Sequence, residues 1–207
     1  MASVASPTPE SAEPFDYDRI VLLRNATWAD YQRLMEIRGD DACPRICYLE
    51  GDIELMSPSR SHEGIRSRIG RLVEAWSDVH GIEFSPYGSW TLEDKSKRGG
   101  VEPDECYVFH GREEAEVERP DLGIEVIWTS GRLDKRKIYE KLNVQELWFW
   151  KNETITVFVW HRDGYEERDA SSVLPGIDVK QIAQHVKETV ASRAVRAYRE
   201  ELRNPVP

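Results

Sequence analysis

Apolar residues recur along this chain with two periods, and the period kept in each stretch predicts its element. In TWADYQRLMEIR, Trp28, Tyr31, Leu34 and Met35 form one helical stripe, with Thr27 as N-cap and Asp30 closing a capping box. RICYLEGDIELMSP reads as two short strands around Gly51-Asp52, a hairpin that Pro58 ends. HEGIRSRIGRLVEAWSDVHG is a second helix, entered from Ser59 or Ser61 and closed by Gly81, with Ile65, Ile69, Leu72, Val73 and Trp76 on one face. At about 100° per residue, His62 falls near the edge of that face and Glu63 points nearly opposite. After IEFSPYGSWTLE and the loop DKSKRGG come the strand DECYVF, the acidic connector GREEAEVER and the apolar run LGIEVIWTS. A helix is predicted from Leu133 to about Leu142, then the strand QELWFW, buried on both faces. TITVFVWHRDGYEER is a hairpin whose alternation breaks at His161 to Gly164, and a charged helix runs from Asp178 to about Leu202. The core order αβββαβ predicts an α/β domain: a mixed β-sheet flanked by helices, with a helix and hairpin before it and a hairpin and helix after it.

Composition sharpens this in three places. Residues 1–19 are rich in Ser, Pro, Ala and Glu and are expected to be disordered, leaving residues 20–207 as a single domain. Lys plus Arg number 28 against 38 Asp plus Glu, a formal charge of -10, which excludes a protein that coats nucleic acid by global electrostatics but not an enzyme with a local basic surface. The three cysteines, Cys43, Cys47 and Cys106, form neither a disulfide framework nor a zinc cluster. The first residues lack a basic-then-apolar leader pattern, and no apolar run reaches the roughly 20 residues of a membrane span, so the expectation is a soluble cytoplasmic protein. The aromatic surface of QELWFW and TITVFVW exceeds what one small domain is expected to cover, which points to a homodimer.

Candidate chemistry gathers on the buried strands. Glu125 interrupts the apolar set Leu122, Ile124, Val126, Ile127 and Trp128, where an uncompensated carboxylate costs about several kcal/mol. Asp104 follows Pro103 at the entrance of DECYVF, and Lys135 opens the helix after Glu125. Two carboxylates on neighbouring strands can share a hard divalent cation, and a lysine at the edge can orient an attacking water or neutralise a phosphate. A second Pro-Asp pair, Pro120-Asp121, competes, but Asp121 and Glu125 on one strand would stand about 13 Å apart, too far to hold one ion. Other roles stay open for each residue. Asp104 also suits an ordinary turn, Glu125 a structural ion pair with Lys135 or Lys137, Lys135 a solvated helix face, and His62 a hydrogen-bonded packing position. Lys95, Lys97 and Arg98, in a glycine-bounded loop, suit either a phosphate contact or a solvated turn.

YLEGDIELMSPSRSHE, VEPDECYVF and PDLGIEVIWTSGRLDKRKIYEKLNVQELWFW, in that order and spacing, resemble the Uma-two family of restriction-endonuclease-like proteins, which belongs with the PD-(D/E)XK nuclease superfamily. The resemblance spans about residues 27–190. It implies a restriction-endonuclease-like fold and a metal-dependent endonuclease, with magnesium or manganese as cofactor and DNA as partner. It places the superfamily's Pro-Asp on Pro103 and Asp104, its acidic strand residue on Glu125 and its helix glutamate on Glu63; His62, beside Glu63, is a candidate neighbour of the active site. The lysine usually two places beyond the acid is absent, since Ile127 stands there, and Lys135, four residues before Tyr139, substitutes. Trp128 and Thr129 depart from the Glu-Val-Leu-Ser-Pro sequence of many members, and Cys47 stands where many carry a glutamate. These departures keep open a second class: a nuclease fold without catalysis, serving as a nucleic-acid-binding or assembly module.

Overall fold

A computed structural model describes residues 16–127 and 133–204. The strands form two sheets. The smaller is antiparallel and takes β1 (Arg19–Leu23), β2 (Arg45–Leu49), β3 (Asp52–Ser57), β5 (Leu92–Asp94) and β6 (Gly99–Val101), in the order β1-β3-β2-β6-β5. The larger joins β4 (Phe84–Pro86), β7 (Glu105–Phe109), β8 (Leu122–Val126), β9 (Glu146–Lys151), β10 (Thr154–His161) and β11 (Gly164–Arg168), in the order β11-β10-β9-β8-β7-β4. It is mixed because β8 and β9 run parallel. A parallel pair needs a crossover, and α3 (Lys135–Leu142) lies within it.

Helices complete the layers. α1 (Trp28–Arg38) starts at the Thr27–Asp30 capping box and covers one face of the small sheet through Tyr31, which clusters with Ile46, Tyr48 and Ile53. α2 (Arg60–His80), capped by Ser59 and ended by Gly81 in the left-handed conformation, presses Ile65, Ile69, Leu72, Val73 and Trp76 onto the large sheet. Strand alternation then sorts β8: Leu122, Ile124 and Val126 join the α2 core, so Gly123 and Glu125 turn to the other face, where Tyr139 of α3 packs.

The mixed α/β architecture with flanking helices agrees with the pattern read from sequence, with three differences. The sheet expected as one is two, because the chain leaves the small sheet at Val101 and enters the large one at Glu105. Pro103 lies in that link and has no N–H with which to continue a ladder. Glu102, in the same link, is buried and fastened to β2 by the Ile46 N–H at 2.9 Å and to α1 by Arg38 at 2.7 Å. Secondly, order begins before residue 19. Asp18 is buried, accepts the Ser59 N–H at 2.8 Å and lies 3.0 Å from His62 Nδ1, while β1 starts at Arg19. The expected disordered segment therefore loses residues 16–19, and residues 1–15 lie outside the described residues. Thirdly, the long C-terminal helix is two, α4 (Val179–Val186) and α5 (Ala191–Arg203). No glycine or proline marks the break. Its cause is tertiary, since α5 turns back to bury Ala194 and Tyr198 against the α2 side of the molecule. Of the aromatic surface that motivates a homodimer, Trp148, Phe149 and Trp150 are buried within one chain, as expected for QELWFW, while Phe158 and Trp160 of β10 are only partly buried. Among the described residues no helix is long and apolar enough to cross a membrane.

Deleting residues 1–19 should lower the melting temperature, because it removes Asp18, which accepts the Ser59 N–H and is one of the two carboxylates on His62. Asp18→Ala alone should cost about 1–3 kcal/mol, the usual penalty for stranding buried donors. Urea denaturation checks both, and an unchanged midpoint for the deletion would show that Asp18 holds nothing.

Candidate active site

Glu125 is 1% exposed and both its oxygens are met from α3. Lys135 donates to Oε2 at 2.5 Å and the Tyr139 hydroxyl to Oε1 at 2.5 Å. The two donors are i and i+4 on one helix and therefore share a face. Asp134 caps that helix by accepting the Arg136 N–H at 3.2 Å, which fixes Lys135 in the first turn. Lys137, the other lysine within reach in sequence, is exposed.

Asp104 is wholly buried at the mouth of β7. Its Oδ2 accepts the Val126 N–H at 2.6 Å, which ties it to the residue after Glu125, and lies 3.0 Å from His62 Nε2. Its Oδ1 pairs with Arg45. His62 stands between two carboxylates, with Nδ1 against Asp18. Glu63 lies on the same turn of α2 and pairs with Arg45 at 2.6 Å and with Arg66 at 3.0 Å. Asp104, Glu125 and Glu63 are thus brought toward one point, and all three act electrostatically on the guanidinium of Arg45, whose side chain is 7% exposed. Among the described residues, no three acidic, histidine or cysteine side chains close into a metal-holding set. A guanidinium separates Asp104 from Glu63.

Arg45 is the residue that sequence reasoning missed. The signal was present, because alternation in RICYL puts Arg45 on the same face as the buried Cys47, and an arginine in a buried strand poses for cations the question Glu125 poses for acids. Asp18 carried no such signal. The competing Asp121 has a structural place instead: it accepts the Phe109 N–H at 2.8 Å and pairs with Arg112. Lys95, Lys97 and Arg98 are not brought to the site. Lys97 lies 3.8 Å from Asp94, and the following Gly99 lies against Lys141, in the last turn of α3, the opposite end from Lys135. Trp128 and Thr129 lie outside the described residues.

The two central carboxylates differ in acidity. Burial pushes Glu125 up to about 7, reinforced by the charge of Asp104 and opposed by Lys135 and Tyr139. Burial acts on Asp104 in the same direction, but Lys135, His62 and Arg45 outweigh it and hold the carboxyl well below the usual range. Lys135 is buried too, and Glu125 and Asp104 overcome that burial to keep its ammonium protonated. Burial lowers His62, yet Asp104 and Asp18 raise it to about 9, with Arg45 Nη1 at 3.3 Å as an opposing positive neighbour. Burial pushes the neighbouring Cys47 thiol up to about 12, so it stays neutral. Paired carboxylates driven apart in this way are what acid–base chemistry requires. Beside Lys135, between the sheets, opens a cleft of about 290 Å³ whose walls include Glu54, Met56, Arg136 and Phe149.

The profile of the Uma2 family, described as "Putative restriction endonuclease", matches residues 28–190. No curated protein matches the chain. Among solved structures, the chain is similar to one described as a putative nuclease of the DUF820 group from Anabaena variabilis. The two are 17% identical, with 75% of this chain and 92% of that chain covered and a TM-score of 0.46.

Two measurements in metal-free buffer probe the charge cluster. Lys135→Met should lower stability by about 3–5 kcal/mol by leaving Glu125 buried and unpaired. Adding Glu125→Gln should recover much of that loss, and Lys137→Ala should stay within about 0.5 kcal/mol of wild type. His62 is raised from 6.5 to about 9 on folding, so its contribution is complete below pH 6.5 and is lost as pH climbs through about 9. Stability of the wild type should therefore decline across that window, and His62→Gln should flatten the decline. An identical slope in both proteins would refute the assignment.

Proposed function

The chain belongs to the Uma2 family, and from that premise we propose that it is a divalent-metal-dependent endonuclease hydrolysing phosphodiester bonds of DNA. The observation that carries this reading is the junction of Asp104 with β8: one hydrogen bond, to the Val126 N–H, sets an ionised aspartate beside a glutamate paired to a lysine. Magnesium and manganese take hard oxygen ligands, and the donors here are carboxylates. Arg45 already stands as a cation among Asp104, Glu125 and Glu63, so the pocket is built for positive charge. The donor set fits a metal once that guanidinium withdraws.

Asp104 and Glu125, with Glu63, would hold the ion. When bound, it would supply Lewis-acid polarisation of the phosphate and of the attacking water. The protein's own part is orientation and charge. Lys135 keeps its proton and presents an ammonium to a phosphate oxygen or the attacking water, His62 fixes the rotamer of Asp104, and Tyr139 fixes that of Glu125. A second reading, a nuclease fold acting as a nucleic-acid-binding or assembly module, draws on one observation. Both oxygens of Asp104 and both of Glu125 already have protein donors.

Nicking of supercoiled plasmid in magnesium or manganese, together with manganese affinity by electron paramagnetic resonance, separates the two readings. Asp104→Asn and Glu125→Gln should lose both nicking and the metal, whereas Asp121→Asn keeps both. Lys135→Ala should cut the rate by about 100-fold or more at nearly unchanged metal affinity, since an ammonium is no ligand. Arg45→Gln should bind manganese more tightly than wild type, because a competing cation has gone. Wild-type protein that neither binds manganese nor nicks DNA would leave the binding-module reading standing alone.

A further inference from the structure

The chain is strongly acidic, yet one groove on it is not. Between α2 and α5 lie Arg71 from the first helix and Arg196, Arg199 and Arg203 from the second, with the hydroxyls of Ser67 and Ser192 between them. Glu200 is the one acid along the lining. Spacings of three and four residues put the three arginines of α5 in one stripe, while the buried Ala194 and Tyr198 supply the packing of that helix. Packing therefore does not explain the stripe, and clustering like charges on a helix is mildly unfavourable by itself. Only Arg199 is neutralised, by Asp78 at 2.7 Å. Among the described residues Arg196 and Arg203 make no ion pair, and both are exposed.

The groove also has a direction. Glu63, Ser67 and Arg71 follow one another at intervals of four along one side of α2, a run of about 12 Å from the carboxylate cluster to the first arginine. We infer that the groove between α2 and α5 binds the phosphate backbone of DNA and leads it to the site at Asp104 and Glu125; the second half of that statement rests on the nuclease reading. Guanidinium groups suit this task, since each offers a planar fork of donors that phosphate oxygens match. An acidic chain needs such a local track to approach a polyanion at all.

The test is fluorescence anisotropy of the full chain with a labelled duplex oligonucleotide, without divalent metal so that no cleavage occurs, over a range of salt. The variant Arg71→Gln/Arg196→Gln/Arg203→Gln is compared with Arg33→Gln/Lys180→Gln/Lys187→Gln, which removes the same charge elsewhere. The groove variant should bind roughly 10- to 100-fold more weakly, and its slope of log affinity against log salt should fall by about 2–3, one contact per lost arginine. The control should bind as wild type does, and all three proteins should melt together. Equal weakening in both variants would mean general electrostatics and overturn the inference, as would a wild type that binds no DNA, or an acidic peptide that alone competes for the groove. Plasmid nicking keeps the two readings apart. Duplex binding lost in the groove variant, with no nicking by wild type, defeats the nuclease reading and leaves the groove. Nicking with unaltered binding by the groove variant does the reverse.

Discussion

Like charges cannot share a dry interior unless opposite charges are placed among them, and the seam between the two sheets is arranged around that requirement. Asp104 and Glu125 are both buried there, Asp104 just ahead of β7 and Glu125 on its partner β8. Their mutual repulsion and desolvation are met by Arg45 from the small sheet, His62 from α2 and Lys135 from α3. Each cation comes from a different element, so the charge cluster also fixes how those elements sit against one another. Breaking one partner leaves its mate uncompensated, which is far more costly than removing a surface pair.

Other buried carboxylates in the chain show the contrast. Glu146 is fully buried and is satisfied by neutral donors alone: the Trp148 indole at 2.7 Å and the Ser172 and Val173 N–H groups at 2.6 and 3.1 Å. It pins the loop after β11 to the sheet. Glu102 does similar work between β2, Thr91 and α1. What distinguishes Asp104 and Glu125 is their adjacency, since adjacency is what drives their acidities apart.

Much of this was legible in sequence because it is local. The capping box of α1, the β2–β3 hairpin (which turns at Glu50-Gly51, one residue earlier than read) and the exit of α2 at Gly81 are each specified within a few residues. Glu125 announced itself by breaking an apolar run, and Lys135 by opening the helix just after it, with the interval to Tyr139 added by the family resemblance. What sequence did not show is long-range. The wheel reading of Glu63 as turned from the core is right for an isolated helix, and the residue is indeed partly exposed. It reaches the cluster only because Arg45 extends to it from another sheet. Asp18 meets His62 from just ahead of β1, in a stretch whose composition reads as a disordered tail. The break between α4 and α5 has no local marker because docking on α2 makes it.

That fold-back has a bearing on the order in which the protein is made. Every residue of the charge cluster, from Asp18 to Tyr139, is synthesised before α5. The arginine-lined groove needs the last helix described, which supplies three of its four guanidinium groups. A nascent chain therefore holds the complete carboxylate–lysine cluster in its sequence while its basic surface is still absent, and gains that surface only when α5 closes on α2.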